Sequence, residues 1–524
     1  MTRIHRSMVI RTAAASVLLA MAFAASARAQ SAAPVVLDGA FDEWSGIPAA
    51  VMDAADAPAP FADMREVRVR DDAEGVYLLL DLERPIALQS LPGTLQVLLD
   101  TDGDTASGWT EMEMRGVDAV LAFSPRAPNG GLSGTMLRII RRAGGAPEEI
   151  PAVDAGVLMA PSVGSRRFEV RLGRGAPFRF GGRLRARIVA RDRTDSVIDQ
   201  TVIFSAPLSP GAHRPTPRGH GDADPLARAP GTDFRLLSWN VGRDDLFEGT
   251  VEFGALLRAV QPDVVILDEV DTDSAEKVLI ILNRILPGDR PWRGVLGRSG
   301  GTQRGVVAVR APVSVATPFA GHVAYPDSAA ALVPRDAAAS AHAAAARRAS
   351  EGVPTVGAVA EMGGRRLLAV TVDLECCGDP GSPSDRLRRV EAAVLRDGIR
   401  EALRGGGVDA VIVAGDFNLV GSRTPLELLA AGTDVDGSAL VIAEPRRLNG
   451  ASMATWEKPG DRFTPGRLDY VLVGDAALTI LQSFPLNSGD LSRTWRAHHG
   501  LDAETSHRAT DHLPVITDLR WTGG

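Results

Sequence analysis

Several polar residues of this chain stand where apolar runs end, which is the place where α/β folds carry side chains able to do chemistry. Residues 411–418 read VIVAGDFN, so Asp416 and Asn418 directly follow an apolar run. Four other runs end in the same way, in the order SWN at Asn240, LDEV at Glu269, RLDY at Asp469, and ATDHLPV at Asp511 and His512. Each residue alone is also typical of a turn or a solvated charge. A shared catalytic role therefore requires that these five strand ends come together at one rim of the domain.

The elements that must position these residues alternate between strands and helices from residue 233 onward. FRLLSWN, DVVILDEV, RGVVAVR, RLLAVTV and DAVIVAG have the apolar composition of buried strands. SAEKVLIILNRIL and SDRLRRVEAAVLRDGIREALR have helical spacing, and Gly405 to Gly407 close the second of them. The Ala-rich stretch 328–350 predicts a helical or mobile insertion. Alternation of this kind predicts a layered α/β domain over residues 233–522.

The preceding part of the chain has a different pattern. Between residues 34 and 206, short alternating segments such as REVRVRDD, GVYLLLDL, TLQVLLD and RRFEVRL are separated by Gly, Pro and Asp clusters. This pattern predicts a separate all-β sandwich. Residues 207–232 are rich in Pro, Gly and small residues, and they predict an interdomain linker.

The first 29 residues have the features of a secretory signal peptide. MTRIHR is a basic start, an apolar region follows, and Ala27-Arg28-Ala29 is a small-x-small cleavage site. The alternative, a membrane anchor, is disfavoured because Arg11 interrupts the stretch, and later segments are too short or too polar to cross a bilayer. We expect a periplasmic or secreted protein without a transmembrane segment after signal removal.

Charge and cysteine content limit the remaining possibilities. The net charge of −8 disfavours a protein that holds long nucleic acid mainly by electrostatics, although it does not exclude a nuclease. The two cysteines, Cys376 and Cys377, are neighbours, so they cannot join distant segments. We expect free thiols in a loop, with a disulfide between the neighbours as the alternative.

The motifs LLSWNV, QPDVVILDEV, VIVAGDFN, GRLDYVLV and TDHLPVITDL, in this order, resemble those of the endonuclease/exonuclease/phosphatase superfamily. The resemblance covers residues 233–522 and implies a four-layer α/β sandwich, in which helices flank two packed sheets. It also implies hydrolysis of a phosphate ester by a metal-activated water. Nucleic acid, phospholipid and sugar phosphate are the substrate classes left open.

The resemblance implies a metal site around Glu269. Glu269, with Asn240 and Asp511 nearby, would form a site of hard oxygen ligands suited to Mg²⁺ or Mn²⁺.

Catalytic roles are implied for the remaining motif residues. Asp416 would orient or deprotonate the attacking water, and Asn418 and Asn240 would fix the water and the phosphate by hydrogen bonds. His512, held by Asp469, would be an imidazolium that faces the developing negative charge, because a neighbouring carboxylate raises the pKa of a histidine.

One position departs from the family pattern. RLLAVTVDLECCG offers Asp373 where a histidine is common. A carboxylate about 5 Å from a phosphate would cost on the order of 3 kcal/mol at an effective dielectric near 20, enough to slow a reaction about a hundredfold. Asp373 could point elsewhere, recruit a second divalent ion, or mark a decayed domain in a noncatalytic binding protein. We expect retained hydrolysis because the other motif positions are intact. Asp268, in place of a common glutamine, is expected to add negative charge.

The N-terminal half has a weaker resemblance of its own. VVLDGAFDEWSGI and the acidic loop DTDGDTASGW are similar to family 9 carbohydrate-binding modules, which implies a carbohydrate partner. Asp100, Asp102, Asp104 and Glu111 stand at positions 1, 3, 5 and 12 of an EF-hand-like Ca²⁺ loop, although Thr105 replaces the usual glycine. A solvated acidic turn is the alternative to a calcium site.

Overall fold

The computed structural model describes residues 35–58, 61–139, 145–209, 223–243, 245–327, 329, 332 and 350–523. The predicted signal peptide, residues 210–222 of the predicted linker and nearly all of the Ala-rich stretch 328–350 lie outside these residues. The domain boundaries and the signal peptide therefore stay predictions. Within the described residues, no helix combines the length and the apolar character that a membrane span requires.

The N-terminal region is built from strands. They are β1 (Ala49–Met52), β2 (Met64–Asp71), β3 (Gly75–Ile86), β4 (Thr94–Asp100), β5 (Trp109–Glu111), β6 (Met114–Val117), β7 (Ala119–Phe123), β8 (Thr135–Ile139), β9 (Glu148–Pro151), β10 (Leu158–Ala160), β11 (Ser165–Gly173), β12 (Arg183–Arg191), β13 (Val197–Gln200) and β14 (Phe204–Pro207).

Two antiparallel sheets form the N-terminal sandwich. One has the order β1-β2-β3-β11-β10, and the other has the order β13-β12-β4-β7-β8-β9 with β14 beside β12. Alternating apolar residues of both sheets meet in one core, for example Leu78 and Leu80 of β3 with Val97 and Leu99 of β4. The predicted all-β sandwich is confirmed.

The C-terminal region alternates strands with helices. Its strands are β15 (Phe234–Arg243), β16 (Val264–Val270), β17 (Arg293–Leu296), β18 (Arg304–Val309), β19 (Val313–Val315), β20 (Gly357–Met362), β21 (Arg365–Asp373), β22 (Ala410–Asp416), β23 (Val441–Ile442), β24 (Asp469–Val473), β25 (Leu478–Pro485) and β26 (Val515–Trp521). Its helices are α1 (Asp245–Glu248), α2 (Thr250–Val260), α3 (Ala275–Ile285), α4 (Pro383–Arg404), α5 (Thr424–Ala430), α6 (Arg493–His499) and α7 (Thr505–Ala509).

These elements form four layers. The sheet β17-β18-β16-β15-β26-β25 packs face to face on the sheet β19-β20-β21-β22-β24-β23. Helices α2 and α3 cover the outer face of the first sheet, and α4 and α5 cover the outer face of the second. Buried strands with apolar residues on both faces require such double cover. The predicted four-layer α/β sandwich is confirmed.

Two parallel strand pairs place the polar strand ends side by side. In the first sheet β15 runs parallel to β16, which sets Asn240 opposite Asp268. In the second sheet β21 runs parallel to β22, which sets Asp373 opposite Asp416, and antiparallel β24 sets Asp469 beside Asp416. Because a parallel pair needs a long crossover, α2 and α4 are what bring these ends together.

Gly415 explains why the GDFN motif begins with glycine. Its φ is +142°, and a Cβ at this position would lie 2.0 Å from the carbonyl oxygen of Val372 on the neighbouring strand. A side chain would push β21 and β22 apart just before Asp373 and Asp416. The glycine therefore allows the two carboxylates to sit on closely spaced strands.

The N-terminal sandwich contacts the segment that leads into β24. Nη2 of Arg462 donates to the carbonyl oxygens of Pro125 and Ser133, both at 3.2 Å. Ser162 Oγ donates to the carbonyl oxygen of Arg467 at 3.0 Å, two residues before Asp469. The sandwich therefore supports the polypeptide that delivers one of the carboxylates.

Cys376 and Cys377 are joined to each other in a disulfide. The expectation of free thiols is wrong, and the alternative of a disulfide between neighbours is what the structure contains. The pair lies in an exposed loop after β21, and Cys377 has a positive φ of 69°.

A buried ion pair ties the first and last strands of the C-terminal region together. Arg235 and Asp518 form two hydrogen bonds, at 2.5 and 2.8 Å, and both side chains are buried. Arg235 also donates to the carbonyl oxygens of Leu226 and Val260. The guanidinium therefore has a fixed position among groups that all accept its protons.

Replacing Asp518 by Asn is expected to destabilise the chain strongly. The change leaves the buried Arg235 charge without its counter-charge, and breaking one partner of a buried pair costs about 3–5 kcal/mol. Urea denaturation of Asp518→Asn measures this loss. The matched control is Asp273→Asn, which removes an exposed, solvent-screened pair with Lys277 and should leave the stability close to that of wild type. Equal losses in the two variants would contradict a structural role for the buried pair.

Candidate active site

Three carboxylates from both C-terminal sheets meet at the converging strand ends. Glu269 of β16, Asp373 of β21 and Asp416 of β22 each offer an oxygen, and these oxygens lie within 4.8 Å of one another. The side-chain amide of Asn240 connects the two sheets, because its Nδ2 is 3.2 Å from Glu269 Oε1 and 3.2 Å from Asp416 Oδ2. We call Glu269, Asp373 and Asp416 the carboxylate group.

The carboxylate group has the chemistry of a divalent-cation site. All of its donors are carboxylate oxygens, which are the ligands that Mg²⁺ and Mn²⁺ prefer. Asp373 and Asp416 are buried and Glu269 is half-buried, so the negative charges have little water to stabilise them. These residues therefore fit a hard metal ion.

The predicted metal ligands are only partly brought together. Glu269 and Asn240 are adjacent, and Asp373 joins them in the carboxylate group instead of pointing elsewhere. Asp511 is not a member of this group, and its Oδ2 lies 3.4 Å from Nζ of Lys458. The assignment of Asp511 as a metal ligand stays a prediction.

Backbone conformations that are unusual for non-glycine residues occur at the site. Glu269 has φ of 53° and Asn418 has φ of 48°. The pairing of β15 with β16 also shifts its register between Asn240 and Arg243, as a β-bulge does. Left-handed conformations cost of order 1–3 kcal/mol and persist where the surroundings fix them, as they often do at functional sites.

His512 is held by a carboxylate that is itself held by a hydroxyl. Its Nδ1 is 3.0 Å from Asp469 Oδ2, and Thr455 Oγ1 donates to the same oxygen at 2.7 Å. Burial alone would lower the pKa of His512, but the carboxylates of Asp469 and Asp416 outweigh it and raise the pKa to about 10. A pKa of about 10 favours the imidazolium form of His512 at neutral pH, and its catalytic role stays a prediction.

Asp416 is the member of the carboxylate group that faces the imidazolium of His512. Its Oδ2 is 3.7 Å from Nε2 of His512, and its Oδ1 accepts a hydrogen bond from the backbone N–H of Asn418 at 2.8 Å. Burial, opposed by the positive charge of His512 and supported by the negative charge of Asp469, raises the pKa of Asp416 to about 7. A group with such a pKa can take up a proton near neutral pH.

Asn418 is placed beside the loop that follows Asp373. Its Nδ2 donates to the carbonyl oxygen of Leu374 at 2.9 Å. The backbone N–H of Leu374 in turn donates to the carbonyl oxygen of Asp416. Asn418 is thus adjacent to the carboxylate group, and its hydrogen bond stabilises the chain on both sides of the site.

Asp268 lies in the interior beside the backbone of Asp416. Its side chain is buried, and Oδ2 accepts a hydrogen bond from the backbone N–H of Asp416 at 3.2 Å. Burial, together with the nearby carboxylates of Asp469 and Asp416, raises the pKa of Asp268 well above its usual range. Burial therefore opposes ionisation of Asp268, and the expectation that it adds negative charge stays a prediction.

Two residues near the reacting groups carry no motif in the sequence. Thr455 fixes Asp469, but it lies 14 residues earlier in an irregular segment. Arg243 places Nε 3.5 Å from Glu269 Oε2, and 59% of its side chain is exposed, so it brings a mobile positive charge to the rim. In the sequence, only its position just beyond LLSWNV connects Arg243 with the site, and nothing connects Thr455 with it.

A charged network supports the segment that carries Asp511. Arg447 forms ion pairs of 2.7 Å with Glu457 and with Asp490, and His507 faces Glu457. The backbone N–H of Glu457 donates to the carbonyl oxygen of Asp511 at 2.9 Å. This network therefore links the rim of the site to the protein interior.

In the acidic loop of the N-terminal region, the acidic residues that lie close together differ from the predicted set. Asp100 and Asp102 lie close enough to share a cation, together with Asp118. Asp104 accepts a hydrogen bond from the backbone N–H of Ala106 instead. Glu111 pairs with Arg138 at 2.8 Å and with the indole N–H of Trp109. Calcium binding by Asp100, Asp102, Asp104 and Glu111 stays a prediction.

Comparison with known proteins gives a family and several similar structures. A family model described as the Endonuclease/Exonuclease/phosphatase family matches residues 237–512. No curated protein matches the sequence.

Three of the similar solved structures are the human nocturnin catalytic domain with bound sulfate, D. rerio TDP2 with a single-strand DNA product, and a mannosyl-6-phosphatase of Bacteroides thetaiotaomicron. Their sequence identities are 16%, 14% and 14%, with TM-scores of 0.34, 0.32 and 0.33. Each similarity covers 55% of this chain, and 94%, 98% and 99% of the respective structures.

Replacing Glu457 by Gln is expected to destabilise the chain in a pH-dependent way. Burial would raise the pKa of Glu457, but His507 and Arg447 outweigh it and lower the pKa from 4.5 to about 2. A lowered carboxyl pKa stabilises the fold above pH 4.5, and this stabilisation disappears as the pH falls towards 2. At about 1.4 kcal/mol per pKa unit, the loss at pH values above 4.5 is about 3 kcal/mol.

The measurement is the difference in unfolding free energy between wild type and Glu457→Gln as a function of pH. His507 adds an opposite trend at higher pH, because its pKa is raised in the folded chain. The resulting stabilisation is complete below pH 6.5 and disappears as the pH rises through the raised pKa. Glu427→Gln, at an exposed position, is the control. A pH-independent difference would show that Glu457 acts through packing and not through its charge.

Proposed function

The chain belongs to the endonuclease/exonuclease/phosphatase family, and on this basis we propose that it is an exported, metal-dependent phosphoric ester hydrolase of the phosphodiesterase or nuclease type. The observation that carries the proposal is the meeting of the carboxylate group with the imidazolium of His512 at one rim. One side of this arrangement supplies ligands for a cation, and the other supplies a proton donor and a proton acceptor.

The cation would be Mg²⁺ or Mn²⁺, held by Glu269, Asp373 and Asp416 with Asn240 beside them. When bound, such an ion polarises the phosphoryl group and lowers the pKa of a bound water. The exposed Arg243 next to Glu269 offers an additional positive charge for a non-bridging phosphate oxygen.

The remaining side chains position the water and move its proton. Burial raises the pKa of Asp416 in the metal-free site, whereas a bound cation would keep this carboxylate ionised, and as an anion it would accept the proton of the attacking water. Asn240 and Asn418 orient the water and the phosphate by hydrogen bonds. His512 Nε2–H donates to the oxygen on which negative charge develops, and Asp469 keeps the ring oriented and charged through Nδ1.

The place of Asp373 in the carboxylate group offers an answer to the expected repulsion between its charge and the phosphate. A carboxylate facing a phosphate would repel it by about 3 kcal/mol at 5 Å. A carboxylate that ligates a cation has its charge compensated, so the same residue then strengthens metal binding. This reading favours an active enzyme over a decayed domain in a noncatalytic binding protein.

Substrate, location and the role of the sandwich rest on less direct observations. The net charge of −8 favours small or short substrates among nucleic acids, phospholipids and sugar phosphates. The signal-like first 29 residues support a periplasmic or secreted location. A cleft of about 1150 Å³ in the sandwich, bordered by Trp109, Phe178, Asp102 and Arg179, supports a carbohydrate as the partner of that region.

Hydrolysis of an aryl phosphodiester in the presence of Mg²⁺ or Mn²⁺ is the first expected result. His512→Ala should reduce kcat about 100- to 1000-fold, because it removes a donor to the developing charge. A chelator should abolish the wild-type activity. If wild type, His512→Ala and buffer alone give equal rates, the chain is not a hydrolase of this type and the binding-protein alternative stands. DNA, RNA, sphingomyelin and phosphomonoesters, assayed in parallel, identify the substrate class.

Replacing Asp373 by Asn separates its two possible roles. If Asp373 is a ligand, the metal concentration for half-maximal activity should rise by roughly 10- to 100-fold or more, since even outer-shell changes cost that much. Asp397→Asn, at an exposed position of α4 outside the carboxylate group, is the matched control and should leave that concentration within about threefold of wild type. An unchanged metal requirement with a faster rate would place Asp373 against the phosphate instead.

A further inference from the structure

Two histidines and one aspartate meet away from the carboxylate group. His498 and His499 end helix α6, and Asp224 belongs to the short described segment that follows residues 210–222. Each of the three offers one ligand atom, and the three atoms lie within 4.8 Å of one another. Among the described residues, four groups of side chains have the spacing to share a metal ion, and this is the one that contains histidine. We call it the histidine group.

Contacts within the histidine group already order its side chains. His499 Nε2 is 2.9 Å from Asp224 Oδ1, and the same oxygen accepts the backbone N–H of Leu226. Trp495, one turn earlier on α6, stacks against the ring of His499 and meets the ring of His498 edge to face. Less rotamer freedom is therefore lost when the two imidazoles bind a ligand.

Solvent can reach the histidine group. His499 is mostly buried and Asp224 about a quarter exposed, so an ion could still reach them from solvent.

The donor types separate the histidine group from the carboxylate group. Two imidazole nitrogens and one carboxylate match the ligand preferences of Zn²⁺, Cu²⁺ and Ni²⁺, whereas Mg²⁺ prefers oxygen alone. Three protein ligands leave a fourth position for water. We propose that Asp224, His498 and His499 form a second metal site, selective for a transition-metal ion such as Zn²⁺.

A metal ion at this site would join two distant parts of the chain. Asp224 precedes β15 and lies within the predicted linker, residues 207–232, whereas His498 and His499 come more than 270 positions later. Binding of the ion would fasten this part of the predicted linker to α6. The site is thus a structural clamp, and it is independent of the chemistry proposed for the carboxylate group.

Zinc titration of the full-length chain in excess Mg²⁺ tests the proposal. A Glu269→Gln background disables the carboxylate group, so that binding there does not obscure the result. In this background we expect one Zn²⁺ per chain by calorimetry and by elemental analysis after dialysis. Asp224→Asn keeps an oxygen that can accept the Leu226 N–H, but it replaces the charged metal ligand by a weaker one. His498→Ala removes a metal ligand at an exposed position.

Each of these two variants should lower Zn²⁺ affinity by roughly 100-fold or more, beyond the cost of an outer-shell change. His322→Ala, at an exposed histidine outside the group, is the control and should bind as the background does. Co²⁺, used as a spectroscopic probe, should show the absorption of a nitrogen-ligated site that His498→Ala removes. Zinc binding that is absent in the background, or unchanged in both Asp224→Asn and His498→Ala, would overturn the proposal.

Discussion

Repulsion between carboxylates that the fold forces together is the constraint on which the site depends. Glu269, Asp373 and Asp416 offer oxygens within 4.8 Å of each other. Two unit charges at that distance repel by about 3.5 kcal/mol at an effective dielectric near 20. The imidazolium of His512 next to Asp416 relieves part of this repulsion. A divalent cation would relieve the rest, and this remaining repulsion is why we propose a metal site at this rim.

Rigid packing is what keeps these charges from moving apart. The strands that carry them are buried on both faces, and helices cover both sheets from outside. Gly415 permits the close spacing of β21 and β22, and Asn240 links the two sheets by one amide group. A site of this kind lowers the stability of the fold in exchange for function, which is common where activity needs unfavourable charge.

Most of the fold and about half of the site geometry could be predicted from the sequence. The strands, the two main helices and the ends at Asn240, Glu269 and Asp416 follow from apolar runs that stop at polar residues. Membership of Asp373 in the carboxylate group did not follow, because it depends on the register of β21 against β22 and on the distance between sheets. The support of Asp469 by Thr455 comes from an irregular segment, where no periodicity indicates which side chains meet. The disulfide of Cys376 with its neighbour depends on a local turn that composition does not indicate.

The central claim is that the carboxylate group holds a divalent cation, and anomalous diffraction from crystals grown with Mn²⁺ tests it most directly. We predict one peak within bonding distance of oxygens from Glu269, Asp373 and Asp416, at about 2.0–2.3 Å as for hard divalent ions. Density at that position should disappear in Glu269→Gln crystals grown in the same way. A wild-type map without a peak among these three side chains, with Mn²⁺ bound elsewhere or not at all, would contradict the proposed metal-dependent mechanism.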